Sequence, residues 1–136
     1  MKSKLLILLV VLITSCRSKS EVEFQQYYNQ GEVLYTKNCS NCHQKDGKGL
    51  GLLYPPLDKS DFMDNNLDSV LCIMKYGKST PTVVNGQTFN QPMKGISTIT
   101  DLEIAEIATY IYNTWDRQRG IISVTEVTEK MSKCSE

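Results

Sequence analysis

Apolar side chains recur at spacings of three and four residues in two stretches of the chain, which predicts two amphipathic helices. The first helix is expected from Glu23 to Asn38. Gly31 inside it costs about 1 kcal/mol relative to alanine, which a close helix–helix contact would explain. The second begins with Thr100 and Glu103 at the spacing of a capping box. The two apolar stripes consist of Phe24, Tyr27, Tyr28, Leu34 and Tyr35, and of Ile104, Ile107, Ala108, Ile111 and Trp115.

Two shorter helices are expected between these stretches. Ser60 is predicted to cap a turn of helix that ends at Asn65. Asp68 is predicted to cap a helix from Ser69 to Tyr76, because Gly77 then follows at the position where glycine usually ends a helix.

The remaining segments have the composition of loops. Gln44 to Gly51 holds three glycines, and the prolines in Tyr54 to Leu57 favour an extended turn. Lys78 to Ser97 is predicted to be a loop because proline, glycine and an Asn-Gly pair interrupt it. Since no segment sustains the period-two pattern of a strand, the predicted fold class is all-α: a small domain of about four short helices with long loops.

The N-terminus has the pattern of an export signal. Two lysines within Met1 to Lys4 precede the apolar run Leu5 to Ile13, which is too short to cross a bilayer as a helix. The next residues, I-T-S-C, resemble a bacterial lipobox, which implies cleavage before Cys16 and lipid on its thiol. The alternative is an ordinary signal peptide in which Cys16 is incidental. Both interpretations place the mature chain outside the cytoplasm.

Composition and charge set the domain organisation. The chain has 136 residues, and removal of 1–15 leaves 13 basic and 15 acidic side chains, so no basic excess favours nucleic acid as a partner. We expect a signal peptide at 1–15, a solvated tether at 16–23, one domain at 24–116 and a tail at 117–136. A domain of this size has a marginal core, which a bound apolar cofactor would complete.

The stretch C-S-N-C-H, from Cys39 to His43, is the clearest chemical motif. A structural zinc site needs four ligands, yet His43 is the sole histidine and Cys72 stands alone in a predicted helix. A thioredoxin-like dithiol follows a strand, whereas these cysteines follow a predicted helix. Covalent haem attachment fits the spacing best: both thiols form thioethers to the porphyrin, and the adjacent histidine reaches the iron.

Further motifs follow in a fixed order. The first of them is the stretch G-E-V-L-Y-T-K-N-C-S-N-C-H-Q-K-D-G-K-G. It is followed by P-P-L, then by a loop that contains a methionine, and then by a capped helix with Y-I and W. This order resembles the class I, single-haem c-type cytochromes over Gly31 to Trp115. The resemblance implies a cytochrome c fold wrapped around one covalently attached haem c. It assigns the thioethers to Cys39 and Cys42 and the proximal iron ligand to His43.

The resemblance implies roles for other residues. The carbonyl of Pro55 would accept a hydrogen bond from the ligand imidazole, although Pro55 could also serve only to stiffen the loop. Leu57 would pack against the haem face. Gly31 and Tyr35 match the helix face that crosses the last helix near Tyr110.

The sixth iron ligand implied by the resemblance is Met93, which lies in a loop just before the capped helix. Thioether sulfur is a common axial ligand in electron carriers and raises the reduction potential. The family usually has a proline after this methionine, whereas here Pro92 precedes it and Lys94 follows. The methionines after the predicted signal are Met63, Met74, Met93 and Met131.

Cys72 and Cys134 are the cysteines left over. A disulfide between them would be favoured in an oxidising compartment and would attach the tail to the predicted Ser69–Tyr76 helix. The alternative is a buried Cys72 thiol with Cys134 free in the tail. Ile121 to Val127 alternates apolar and polar residues, which leaves open an edge strand or a segment lying on the domain.

With His43 and Met93 on the iron, no site is left for a substrate, so the resemblance implies an electron carrier rather than an enzyme. We expect a lipid-anchored carrier on the periplasmic side of a bacterial membrane, in a respiratory chain. Its partners would be a quinol-oxidising complex and a terminal oxidase or reductase, and it would act as a monomer or within a complex. The alternatives are an accessory haem subunit of a larger membrane oxidoreductase, and a gas- or peroxide-binding protein in which Met93 is labile.

Overall fold

The computed structural model describes residues 18–134, so the predicted signal peptide 1–15 and the predicted lipidation site Cys16 lie outside the described residues. None of the helices in this range combines the length and apolar character that crossing a membrane requires. In chain order the elements are α1 (Lys19–Asn38), α2 (Ser40–His43), α3 (Asp61–Asn65), α4 (Leu67–Tyr76), β1 (Gly77–Lys78), β2 (Thr82–Val84), β3 (Gln87–Phe89), β4 (Met93–Lys94), α5 (Asp101–Ile111) and α6 (Val124–Met131). The predicted all-α class with long loops is confirmed.

Helix α1 begins earlier than the sequence predicted. It starts at Lys19 rather than Glu23, because the hydroxyl of Ser18 accepts a hydrogen bond from the backbone N–H of Glu21 at 3.2 Å. The predicted tether, 16–23, is therefore helical from Lys19 onward. The side chains of 18–23 are exposed, so these residues extend the helix without adding to the core.

The close helix–helix contact expected at Gly31 is observed where α1 crosses α5. A Cβ atom at Gly31 would lie 2.8 Å from the Cβ of Tyr110 and closer still to the carbonyl oxygen of Glu106. Next to the crossing, the ring of Tyr35 lies 5.4 Å from that of Tyr110. This contact fixes the end of α1, and with it the start of α2, relative to the buried face of α5.

The caps at helix N-termini were predicted correctly at two of three positions, and Gly77 ends α4 as expected. Ser60 caps α3, and Thr100 forms the capping box of α5 with Glu103. The predicted cap at Asp68 is wrong, because α4 already begins at Leu67. The carboxylate of Asp68 instead accepts a hydrogen bond from Lys130, which holds the pKa of Asp68 below its ordinary value.

The prediction of a strandless loop from Lys78 to Ser97 is wrong. Strands β2 and β3 form an antiparallel hairpin, with Asn85 at φ 52° and Gly86 at φ 76° in its turn. Asn-Gly favours this conformation, since both residues tolerate positive φ. Strands β1 and β4 also pair, with Lys78 opposite Met93. The backbone N–H of Ile96 continues this attachment by donating to the carbonyl of Met74 at 2.9 Å.

Residues 117–134 pack on the domain instead of forming a separate tail. Ser123 caps α6, and Val127 and Ile122 are completely buried against the core. A disulfide between Cys72 in α4 and Cys134, three residues after the end of α6, is present, so of the two alternatives left open by the sequence the bridged one is observed. It closes a loop with a sequence separation of 62 residues, and cross-links of such size stabilise a fold by roughly 2–5 kcal/mol.

The crossing at Gly31 yields a prediction about stability. In Gly31→Ala the new methyl group would overlap the backbone of α5, so we expect a loss of about 1–3 kcal/mol in the free energy of unfolding. Urea denaturation of the haem-loaded protein measures this loss. Gln30→Ala, at an exposed position of the same helix, is the control and should change stability by less than about 0.5 kcal/mol. A gain of about 1 kcal/mol in Gly31→Ala, as helix propensity alone gives, would contradict the packing.

Candidate haem-binding site

A cavity of about 660 Å³ lies between α2, the loop after it, α4, the two strand pairs and α5. This volume suits an organic ligand of considerable size, since such pockets are usually 300–1,000 Å³. Most of its wall is apolar, with aliphatic side chains from α4 and α5 and Phe89 from β3. The predicted site residues that line it are Cys39, Cys42, His43, Pro55, Leu57 and Met93.

The two thiols and the imidazole are presented by a single turn. The backbone N–H of Cys39 donates to the carbonyl of Tyr35 at 2.8 Å, so α1 runs almost directly into α2. The carbonyl of Cys39 then accepts from the N–H groups of Cys42 at 3.1 Å and His43 at 3.0 Å. This hydrogen bonding keeps the turn helical. Gln44, with φ at 62°, ends the turn, and its carbonyl accepts a hydrogen bond from the hydroxyl of Tyr35 at 2.6 Å.

His43 is buried and has a fixed orientation. Its Nδ1 lies 3.0 Å from the carbonyl oxygen of Pro55, and this acceptor requires Nδ1 to carry the proton. Nε2 then has the lone pair that a metal ligand needs. Burial lowers the pKa of His43 below its ordinary value, with the Pro55 hydrogen bond opposing it, so the neutral ring is favoured. The expected hydrogen bond to Pro55 is therefore present.

The two motif cysteines are unbridged and half-buried. Burial, together with the neighbouring Cys42, raises the pKa of Cys39 to about 12. Among residues 18–134 there is no group of three or more histidine, cysteine, aspartate or glutamate side chains that could hold a metal ion. Among the described residues, the turn thus lacks the four ligands that a structural zinc site needs.

Three of the methionines line the cavity. Met93, on β4, is half-buried, whereas Met63 and Met74 are only 2% and 6% exposed. The backbone of Met63 is also fixed, because its carbonyl accepts from the hydroxyl of Tyr112 at 2.8 Å. Met131 does not line the cavity and packs beside Cys134. The structure thus brings Met93 and His43 to one cavity, together with two methionines that belong to the core.

The loop that carries Pro55 is held by its backbone. The N–H groups of Leu57 and Asp58 donate to the carbonyl of Gly47 at 2.7 and 2.9 Å. Gly47 has a φ of 68°, and the indole of Trp115 packs directly on it, where a Cβ atom would come within 2.7 Å of the ring. The positive φ and the close contact with the indole both require glycine at position 47. Gly47 therefore has a structural role, in which its carbonyl holds the loop.

Arg117 is a contact to this loop that sequence reasoning missed. Its guanidinium donates to the carbonyls of Leu57 at 2.9 Å and Ser60 at 3.4 Å, and it pairs with Asp64 at 2.9 Å. The residues joined are about 60 positions apart in the chain, so no local pattern signals the interaction. Tyr112 was missed for the same reason, since it reaches Met63 across the core.

The arrangement fits a haem. A neutral imidazole with a fixed tautomer and a thioether sulfur are ligands that iron porphyrins use, and the cavity supplies an apolar enclosure. The two thiols on one turn are placed to form thioether bonds to a porphyrin. A short turn with C-x-x-C-H at the wall of such a cavity defines a protein of the cytochrome c class.

Comparison with known proteins identifies the family. Residues 26–111 match the family described as cytochrome C oxidase, cbb3-type, subunit III, and the chain belongs to it. It is 26% identical over 89 residues to cytochrome c-552 of Thermus thermophilus, covering 62% of this chain and 67% of that protein. For a second cytochrome c-552 from the same species the identity is again 26%, covering 60% of that protein.

A second group of relatives has a different description. The chain is 26% identical over 102 residues to the cytochrome c subunit of a quinone alcohol dehydrogenase from Komagataeibacter europaeus, covering 73% of this chain. This match spans only 22% of that subunit. Taken with the family match, these relatives establish a c-type cytochrome whose function is haem-based electron transfer.

Proposed function

We propose that the protein is a one-electron carrier of a bacterial respiratory chain with a single haem c. In this proposal Cys39 and Cys42 would form the two thioether bonds to the haem, and His43 and Met93 would bind its iron. The observation that supports this assignment is the hydrogen bond from His43 to Pro55, in a cavity that both thiols and Met93 also line. That bond prepares Nε2 of His43 to bind a metal.

The residues of the chain determine how an electron is held. A bound haem would supply an iron that alternates between Fe(II) and Fe(III). By accepting the hydrogen bond from Nδ1, the carbonyl of Pro55 makes Nε2 of His43 a stronger electron donor to a metal. The sulfur of Met93 would favour the reduced state of the iron. The mostly apolar wall of the cavity would limit the access of water to His43, which is buried. His43 and Met93 would both bind the iron in its two oxidation states, which would keep reorganisation small.

We further propose that lipid on Cys16 holds the carrier on the periplasmic side of a membrane. The lipobox-like stretch before Cys16 supports this, and so does covalent haem attachment, which occurs outside the cytoplasm. Two or three acyl chains on one cysteine would anchor it stably, at roughly 0.8 kcal/mol for each buried methylene. Helix α1 would then start three residues after the lipid. Partners in this setting are a quinol-oxidising complex and a terminal oxidase or reductase.

A second candidate function is that of a haem subunit in a larger oxidoreductase. The family description names an oxidase subunit, and one group of relatives are cytochrome subunits of a quinone alcohol dehydrogenase. Co-purification of this chain with other subunits at a fixed stoichiometry would favour this candidate. A free monomer that shuttles electrons between two complexes would favour the carrier.

Covalent attachment is tested by the fate of the pigment. The haem of the native protein should resist extraction by acidified acetone and give a pyridine haemochrome spectrum of the c type. In Cys39→Ala/Cys42→Ala the pigment should be extracted or absent, because both thioether positions are lost. Cys72→Ala/Cys134→Ala is the matched control and should retain its pigment. A native protein that is colourless, or loses its haem to acidified acetone, would disprove the proposal.

The assignment of Met93 is tested against the other two cavity methionines. Met93→Leu should abolish the sulfur-to-iron charge-transfer band of the oxidised protein and lower the reduction potential, since a soft ligand that favours Fe(II) is removed. Met63→Leu and Met74→Leu are matched controls and should retain the band. Loss of the band in either control, with its retention in Met93→Leu, would assign the ligand elsewhere. Rapid carbon monoxide binding to the reduced native protein would instead indicate a labile Met93.

Lipidation is tested by labelling with a radioactive fatty acid. The native chain should incorporate the label and fractionate with membranes, whereas Cys16→Ser should lose the label because no thiol accepts the lipid. Ser15→Ala retains the cysteine and should be labelled like the native chain. Undiminished labelling of Cys16→Ser would rule out the lipoprotein form.

A further inference from the structure

Arg117 makes an unusual set of contacts for a charged residue. Its side chain is only 14% exposed and lies against the loop that follows Pro55. Nη1 donates to the carbonyl of Leu57 at 2.9 Å and Nη2 to that of Ser60 at 3.4 Å, while Nε donates to Asp64 at 3.0 Å. One guanidinium thus joins a carboxylate and two backbone carbonyls of the same segment.

The chain reverses sharply to bring Arg117 to this place. Trp115 and Asp116 both have positive φ, at 51° and 67°, a conformation that is costly for residues other than glycine. Packing holds the reversal, since the indole of Trp115 lies on Gly47 and 5.6 Å from the ring of Tyr35. The backbone N–H of Arg117 also donates to the carbonyl of Thr114 at 3.2 Å. Backbone strain at two successive residues persists only where the surrounding contacts hold the chain in that conformation, as the packing of Trp115 does here.

The loop from Pro55 to Ser60 is consequently held from two sides. Gly47 accepts from the N–H of Leu57, as described above, and Arg117 donates to the carbonyl of the same residue. Leu57 lies two residues after Pro55, whose carbonyl fixes the ring of His43. Movement of Leu57 would therefore be transmitted through one intervening residue, the conformationally restricted Pro56, to the acceptor of His43.

We propose that Arg117 is a positioning residue for the imidazole of His43. It holds the carbonyls of Leu57 and Ser60, and through them keeps the carbonyl of Pro55 at hydrogen-bond distance from Nδ1. The proposal rests on His43 being the proximal haem ligand, as argued above. It adds that a side chain with no contact to the ligand itself sets the strength of that ligand, and so the reduction potential.

The direction of the effect follows from the hydrogen bond. Without the guanidinium, the carbonyl of Leu57 loses its donor, whereas that of Ser60 keeps the backbone N–H of Asp64 at 3.1 Å, so the loop must shift at Leu57 to regain a partner. A longer bond from Pro55 leaves the imidazole a weaker donor. A weaker donor stabilises Fe(III) less, so the reduction potential rises.

The test uses the haem-loaded protein and two readouts that report on His43. Arg117→Gln should raise the midpoint potential. It should also speed solvent exchange of the Nδ1 proton of His43 by about tenfold, measured by NMR of the reduced form. Arg117→Lys retains the charge but has one donor group in place of the fork, so its changes should lie between native and Arg117→Gln. If Arg117→Gln does not fold, Arg117→Lys can still be used to test the proposal.

Two controls separate positioning from charge and from general stability. Arg119→Gln removes the neighbouring arginine, which pairs with Glu126 instead, and should leave both readouts unchanged. Asp64→Asn removes the acidic partner but leaves both carbonyl contacts, so its effect should be much smaller than that of Arg117→Gln. A coloured Arg117→Gln or Arg117→Lys protein with native potential and native exchange, even if less stable, would overturn the inference. A colourless native protein would instead overturn the haem assignment.

Discussion

The hydrogen bond between His43 and the carbonyl of Pro55 is the constraint on which the site depends. It joins the turn from Cys39 to His43, which carries both thiols, to the loop that contains Pro55. Because the acceptor is a backbone carbonyl, the tautomer of His43 is determined by chain geometry and not by a titrating partner. Gly47 and Arg117, which both form hydrogen bonds to Leu57 in that loop, therefore also hold the backbone next to the acceptor of His43.

The part of the cavity wall that contains Met93 is held by backbone pairing between strands. Helix α4 continues into β1, which pairs with β4, and Ile96 donates to the carbonyl of Met74. The strand that carries Met93 is thus attached to α4 by backbone hydrogen bonds. Helix α4 is in turn joined by the disulfide between Cys72 and Cys134 to the segment that follows α6. The C-terminal segment therefore stabilises the wall that bears Met93, although it contributes no residue to the cavity lining.

Whether a feature of the structure could be predicted from the sequence depends on how far apart in the chain the interacting residues are. The caps at Ser60 and Thr100 and the turn from Cys39 to His43 were predictable, since their partners lie within four residues. The hairpin at Asn85-Gly86 had a local signal, but the pair was interpreted only as a helix breaker. The contacts of Arg117 join residues 60 positions apart and leave no mark on local periodicity. The resemblance supplied Pro55 and Met93, whose neighbours in space no sequence pattern specifies.

The three cavity methionines differ in what iron binding would require of them. Met63 and Met74 are already enclosed in the core, and the backbone carbonyl of each accepts a hydrogen bond from Tyr112 or Ile96. Moving either sulfur toward a metal would give up packing that the fold already has. Met93 lies on a strand of two residues and is half-buried, so it has little packing to lose. A bond from Met93 to iron would itself order this wall, in the way that metal binding contributes to folding where a site is incompletely formed without it.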